Sequence, residues 1–299
     1  MKRLIVNADD FGLTSGVNQA IVGLHGHGLL TSATLMARAS ATDEAIELAL
    51  SHSTLGVGCH VVLVDGHPVL SGRDDIPWLA DQANGRLRNS LANLLSDFYL
   101  RRDRNLFGRQ HILAEIEAET AAQIALLQRR GLRLTHVDTH KHTHMFPAVL
   151  RPVLHAARAA GIRTIRNPYE PAWSVRATPG APWLRRTQVQ LLRTLQSSFR
   201  RIVAEEGFIT TDGAIGVLAT GTLDSATLAS LLQAIPDGTW ELVTHPGYND
   251  ASLAKVRTRL LASRKIEFET LKAASISQDI ELIHFGQLHG PAFRNQRLT

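Results

Sequence analysis

The chain has 299 residues, 44% hydrophobic and 20% charged, with a formal net charge of +5; that length suits one large α/β domain or two smaller ones. No apolar run reaches the roughly 18 residues of a transmembrane helix, and a single cysteine, Cys59, rules out an internal disulfide or a thiolate cluster. The positive excess is nearly all arginine and comes without zinc-finger spacing or basic runs interleaved with aromatics, so nucleic acid is not an expected partner.

The start, MKRLIVNADDFG, lacks the long apolar core and cleavage site of a secretory signal, which predicts a cytoplasmic location. Residues 3–12 (RLIVNADDFG) read as a strand whose end carries Asp9 and Asp10. Neighbours on a strand face opposite ways, so both carboxylates can reach one pocket only if the strand is ending there. A turn or a helix cap is the plainer account of that pair. Residues 15–28 form a helical pattern, with Val17, Ala20, Ile21 and Leu24 at i, i+3, i+4 and i+7. A second strand is expected at 32–38, a helix at 42–51, and a third strand at 55–64 (LGVGCHVVLV) with His60 among apolar neighbours. A lone histidine there is ordinarily a hydrogen-bonded core residue.

A long insertion at about 65–108 follows, then a helix at 112–130 with Glu115, Glu117 and Glu119 in its first half, where the helix dipole favours acids. The fourth strand, 132–140, opens the stretch HVDTHKHTH. There His136, Asp138, His140, His142 and His144 all fall on one parity. If the segment stays extended they share one face. Turned into an apolar core, each unpaired imidazole would cost roughly 1–3 kcal/mol. The row is therefore expected to face a pocket, a metal or water. A helix at 147–160 and a fifth strand at 163–168 with Arg166 come next. Residues 169–183 are rich in Pro and Trp, and 184–206 form a basic amphipathic helix. The rest reads as a strand at 216–220, a helix at 225–234, a strand at 239–247 ending in His245, a helix at 251–273, a strand at 279–288 and a polar tail.

Repeating β-α units predict a parallel sheet with right-handed crossovers. The expected fold is α/β, a single (β/α) barrel over 1–299, TIM-like or slightly irregular, with an open doubly wound sheet as the alternative. In either, ligands bind at the carboxyl ends of the strands. Asp9, Asp10, His60, His140, His142, Arg166 and His245 cluster there. Two imidazoles and a carboxylate with open positions suit one divalent ion and a water. A second carboxylate and a further imidazole complete the equipment for metal-assisted hydrolysis of an amide or ester. No GxSxG, P-loop or GxGxxG motif is present.

NADDFG, GCHVVLV, HVDTHKHTH and THPG, in that order from about residue 3 to 288, resemble the YdjC-like carbohydrate deacetylases. The resemblance implies a barrel like that of other polysaccharide deacetylases and divalent-metal-dependent removal of N-acetyl groups from sugars. It implies Asp10, His60 and His140 as ligands of one ion, zinc or magnesium. Asp9 would be the general base and His245 the general acid. His136 and Asp138 would orient the ligands, and His142, His144 and Arg166 would touch substrate, Arg166 alternatively pairing with a carboxylate. The wording CHVVLVDGHPVL, RNPYEPAW and ELVTHPGYND is similar to the hopanoid-biosynthesis-associated (HpnK-type) members, implying an N-acetylglucosaminyl hopanoid as substrate. DTHKHTH departs from the DSHHHVH of chitooligosaccharide-type members, so chitin fragments remain the alternative substrate. A metal phosphoesterase and a non-catalytic sugar- or lipid-binding protein are the other readings. The 184–206 helix, with Trp173 and Trp183 before it, would serve as a barrel cover, a lid, a homodimer surface or a peripheral contact with the inner membrane.

Overall fold

The first strand is the hub of the sheet. In the computed structural model, which describes residues 1–90, 92 and 106–289, β1 (Lys2–Phe11) is buried from Leu4 onward. It pairs in parallel with β2 (Ser32–Leu35) through its upper half and with β6 (Gly238–Thr244) along Lys2 to Ala8. A short β7 (Ile280–Leu282) pairs with its lower end. β3 (Gly56–Val61) and β4 (Val137–Thr139) extend the sheet beyond β2, and β5 (Gly213–Ile215) lies outside β6. The order is therefore β4-β3-β2-β1-β6-β5, all parallel, as expected for buried strands with helical crossovers.

Residues 163–169 join the two ends of this curled sheet without forming a regular strand. Val137 N donates to Thr164 O and Arg166 N to Val137 O on one side, and Ala214 N donates to Tyr169 O on the other. The result is the α/β, TIM-like and irregular barrel that the β-α repeat predicts. Helices α1 (Ser15–Gly26), α2 (Thr42–Ser51), α3 (Leu106–Arg129) and α4 (Pro147–Ala159) follow the first four strands. After a single turn, α5 (Ala172–Arg176), come α6 (Trp183–Leu192) and α7 (Gln196–Glu205), then α8 (Ser225–Ala234) and α9 (Ala262–Lys272).

Several expected elements change. The fourth strand is three residues, not the nine of 132–140. The sixth lies at Gly213–Ile215 rather than 216–220, where the chain already turns through Gly216 at φ 81°. The last strand stops at Leu282, and the last helix starts only at Ala262. The 184–206 helix is split by a 3-10 turn at Arg193–Leu195. Its second half buries Phe199, Ile202 and Val203, whereas α6 buries no residue fully.

Of the 65–108 insertion, residues 91 and 93–105 lie outside the described residues, as does the tail from 290. The part before them packs on α3 by an unusual means. Glu119 accepts from Val69 N and Leu70 N, and Glu115 from Trp78 N and Leu79 N. These acids serve the loop's orphan N–H groups rather than the helix dipole.

Candidate metal centre and its charged support

Asp9 and Asp10 reach the same cavity because β1 bulges, not because it ends. The register with β2 slips between Ala8 and Phe11, and Asp10 sits in the left-handed region at φ 66°. A bulge inserts an extra residue and re-aims side chains, and Asp tolerates that conformation better than most residues.

The stretch HVDTHKHTH is extended only to Thr139. His140–Met145 is a 3-10 turn with Lys141 and His142 both at positive φ, so the single-face row breaks after Asp138. His140 still swings over β3. Its Nδ1 lies 3.3 Å from His60 Nε2 and 3.5 Å from Asp10 Oδ1, and His60 Nε2 lies 3.6 Å from the same Oδ1. The three predicted ligands thus converge.

This donor set fits a divalent ion on three counts. Ligand–metal distances of about 2.0–2.1 Å in tetrahedral geometry separate donors by about 3.3 Å, close to the spacing observed. Asp10 Oδ1 is buried and has no hydrogen-bond partner among the described residues. His60 Nδ1 is held by Asp138 Oδ1 at 2.8 Å, which fixes the tautomer that leaves Nε2 free to ligate. A second ion is disfavoured. Asp9, His60 and Asp138 also lie close together, but the Arg166 guanidinium already fills the space between the two carboxylates. That weakens the phosphoesterase reading, which ordinarily needs two metals.

Arg166 corrects an expectation. It is fully buried, so it is not placed to touch substrate. Its Nη1 and Nη2 donate to Asp9 Oδ2 and Oδ1 at 2.9 and 2.6 Å, Nη1 also pairs with Asp138, and Nε donates to Glu241 Oε1 at 2.8 Å. Burial opposes charge on both aspartates, yet Arg166 holds their carboxyls below the ordinary range. Glu241, without that full share, is pushed up by burial to about 7.

His144 is likewise no substrate contact. It is buried, with Nδ1 on Thr139 Oγ1 at 2.7 Å and Nε2 on Arg166 O at 3.2 Å. His136 does not orient the ligands. It stacks on Phe285 at 3.8 Å and covers Gly58, where any Cβ would collide with its ring. Of that pair, Asp138 is the one that touches a predicted ligand, through His60 Nδ1 at 2.8 Å.

His142 and His245 line the cavity with Asp10, His60 and His140. Burial, the largest influence, pushes them to about 3 and about 4, so both are neutral near pH 7. His245 Nε2 stands 3.7 Å from Asp9 Oδ2. The cavity, of about 1040 Å³, continues along α6, where Leu184, Val189 and Leu192 face Val256 and Leu260.

Three residues of this centre are not singled out by the sequence pattern: Glu241, Arg264 and Glu267. Arg264 Nη2 donates to Asp10 Oδ2 at 2.5 Å, and Glu267 Oε1 accepts from His245 N at 2.8 Å. Two of them leave a trace in the sequence. Glu241 is a lone charge inside an apolar strand, and Arg264 shares a helical face with Phe268 and Leu271.

The titrations give a stability prediction for chelator-treated protein. Burial opposes a charged His60, but Asp138, Asp9 and Asp10 overcome it and raise the ring to about 9. Such a group stabilises the fold fully below its unfolded value of about 6.5 and loses that contribution as pH rises towards 9. Glu241 and Glu267, raised to about 7, act in the same direction from about pH 4.5 upward. Below about pH 6.5 the buried His136, His142, His144 and His245, all depressed, oppose this trend, so the chelated protein should lose thermal stability from about pH 7 to 9. A metal-loaded sample, whose His60 must be neutral, should be spared the His60 part. Melting curves with and without chelator should diverge as pH rises; a constant gap would refute the raised His60.

The YdjC-like protein family matches residues 3–282. The chain is 33% identical over 300 residues to a carbohydrate deacetylase of Brevibacillus brevis, covering 96% of this chain and 99% of that one. It is 31% identical to a mouse carbohydrate deacetylase, covering 82% and 78%. A chitooligosaccharide deacetylase of Salmonella enteritidis is 34% identical over 184 residues, covering 59% and 66%. A crystal structure of an Enterococcus faecalis protein superimposes with a TM-score of 0.72 at 25% identity, covering 96% of this chain and 98% of that one.

Proposed function

Because the chain belongs to the YdjC-like family, we propose that it hydrolyses the N-acetyl group of an N-acetylglucosamine-type sugar, with one divalent ion held by Asp10, His60 and His140. The whole chain is read as a single barrel domain serving that site. The observation that carries the reading is the convergence of those three donors beside an ionised Asp9 in one open cavity. Imidazole ligands favour zinc, and magnesium remains the alternative.

A divalent ion bound there would supply Lewis acidity, lowering the pKa of a water and polarising an acetyl carbonyl. The chain's own groups do the rest. Asp9, fixed by Arg166 and by Asn7 Nδ2 at 3.0 Å, takes the proton of the attacking water. Its pKa is low for a base, which a water acidified at the site makes workable. His245, neutral at rest and 3.7 Å from Asp9, is placed to receive that proton and pass it to the departing sugar amine. His142, with a buried Nδ1 that has no partner, is a candidate contact for a sugar hydroxyl.

For the substrate beyond the sugar, we favour a glycosylated hopanoid. The apolar wall of Leu184, Val189, Leu192, Val256 and Leu260 supports an amphiphilic ligand, since it continues from the metal triad towards the surface. At the rim, Trp183, Leu184 and Leu191 are exposed, and the exposed Arg257 and Arg259 lie on the cavity lining. That combination suits a peripheral contact with an anionic bilayer. Among the described residues no helix is long and apolar enough to cross a membrane.

The test is acetate release after chelation and metal add-back, from N-acetylglucosaminyl hopanoid and diacetylchitobiose in parallel. Metal-dependent release from the hopanoid alone is the expected result. Release from chitobiose alone would keep the chemistry and reject the lipid; release from neither, with metal bound, would reject both.

A further inference from the structure

The first two turns of α9 touch both halves of the candidate centre. Arg264 is 1% exposed, far from ordinary for an arginine. Its Nη2 holds Asp10 Oδ2, its Nε donates to Leu260 O at 3.0 Å, and its own carbonyl accepts from Gly247 N at 3.2 Å. One turn later Glu267, also buried, accepts the His245 N–H. Gly247 eases this approach, because a Cβ there would stand a tight 3.1 Å from Arg264 Cδ. The turn is anchored behind by Phe268 and Leu271, both in the core, with Tyr248 packed edge-on to Phe268.

Asp10 comes from β1 and His245 from the end of β6, and neither is held by its own strand alone. Asp10 sits in a left-handed bulge that its neighbours must enforce. His245 precedes a Pro-Gly turn, beyond the last ladder pair of β6 at Thr244. With Oδ2 occupied by Arg264, Asp10 presents only Oδ1 to His60 and His140.

We propose that Arg264 and Glu267 are positioning residues: the first two turns of α9 set Asp10 against His60 and His140, and His245 against Asp9. The division of labour is definite. Arg264 governs the metal site through Asp10, and Glu267 governs proton delivery through the His245 backbone. This inference rests on the deacetylase reading for its kinetic arm but not for its binding arm.

Arg264→Met should weaken binding of zinc, titrated calorimetrically into chelated protein, by about 10–100-fold, the usual effect of losing a group that orients a ligand. Arg264→Lys, which keeps the charge but cannot hold both Leu260 O and Asp10, should fall between the two and serves if the methionine variant does not fold. Glu267→Ala should bind zinc like the wild type yet lose about tenfold in kcat with KM unchanged. Glu267→Gln, whose amide oxygen can still accept the His245 N–H, should restore kcat to within a few-fold. If the wild type binds zinc but releases no acetate, the deacetylase reading fails, and the His245 ring resonances decide the Glu267 arm instead, shifted in the alanine variant and not in the glutamine one. Wild-type zinc affinity in a folded Arg264→Met, or wild-type kinetics and ring shifts in Glu267→Ala, would overturn the proposal.

Discussion

Asp9→Asn is expected to lower kcat by about 10²–10⁴-fold while leaving divalent-ion affinity within a few-fold of wild type. The two aspartates of NADDFG are neighbours in sequence but bind different partners directly. Asp10 faces His60, His140 and Arg264, whereas Asp9 faces Arg166, Asn7, Thr34 and His245. Asparagine keeps the size of the side chain and one acceptor oxygen for Arg166, but it cannot take a proton at neutral pH. Turnover should therefore fail with the ligand triad intact. Retained turnover would transfer the base role elsewhere; loss of metal along with turnover would mean that Asp9 belongs to the ligand set. Calorimetric metal titration beside steady-state kinetics separates these results.

Arg166→Met is expected to have the largest effect on stability. Asp9, Asp138 and Glu241 share this one guanidinium, all of them buried. Removing the cation leaves carboxylates facing one another in a dry interior. Breaking a buried pair on one side costs about 3–5 kcal/mol. At roughly 2–4 °C per kcal/mol for chains somewhat shorter than this one, the melting temperature should fall by roughly 6–20 °C, or the chain should fail to fold. Adding Glu241→Gln should recover part of the loss, because one buried carboxylate then needs no cation. A soluble Arg166→Met protein that melts like wild type would show that the cluster is not held by this residue.

The parts of this centre differ in how readily the sequence discloses them. Asp10, His60 and His140 are legible because a polar side chain at the end of an apolar strand is costly to bury unless it faces a pocket, and the motifs carrying them resemble a known family. Arg166 is legible as a residue and not as a role, since an arginine after a strand looks the same whether it meets substrate or three acids. His136 and His144 mislead. For His144 the even spacing fails because Lys141 and His142 turn left-handed, whereas His136 keeps the spacing but is covered by Phe285. Arg264 and Glu267 lie more than 250 residues from Asp10 or beyond the turn after His245, so only packing could connect them.

The sequence by itself determined the strand-helix repeat, the end of the barrel where the polar residues gather, and which side chains are candidate donors, because periodicity and side-chain type are local properties. Tertiary structure decided which donors meet and which merely pack. The β1 bulge aims two adjacent aspartates into one cavity, Arg166 closes the second carboxylate cluster to a metal, and α9 reaches back to Asp10. Each of these depends on distances across the barrel. Such distances are set by the closure of the sheet and by the cost of leaving a buried charge unpaired, and no stretch of sequence carries them.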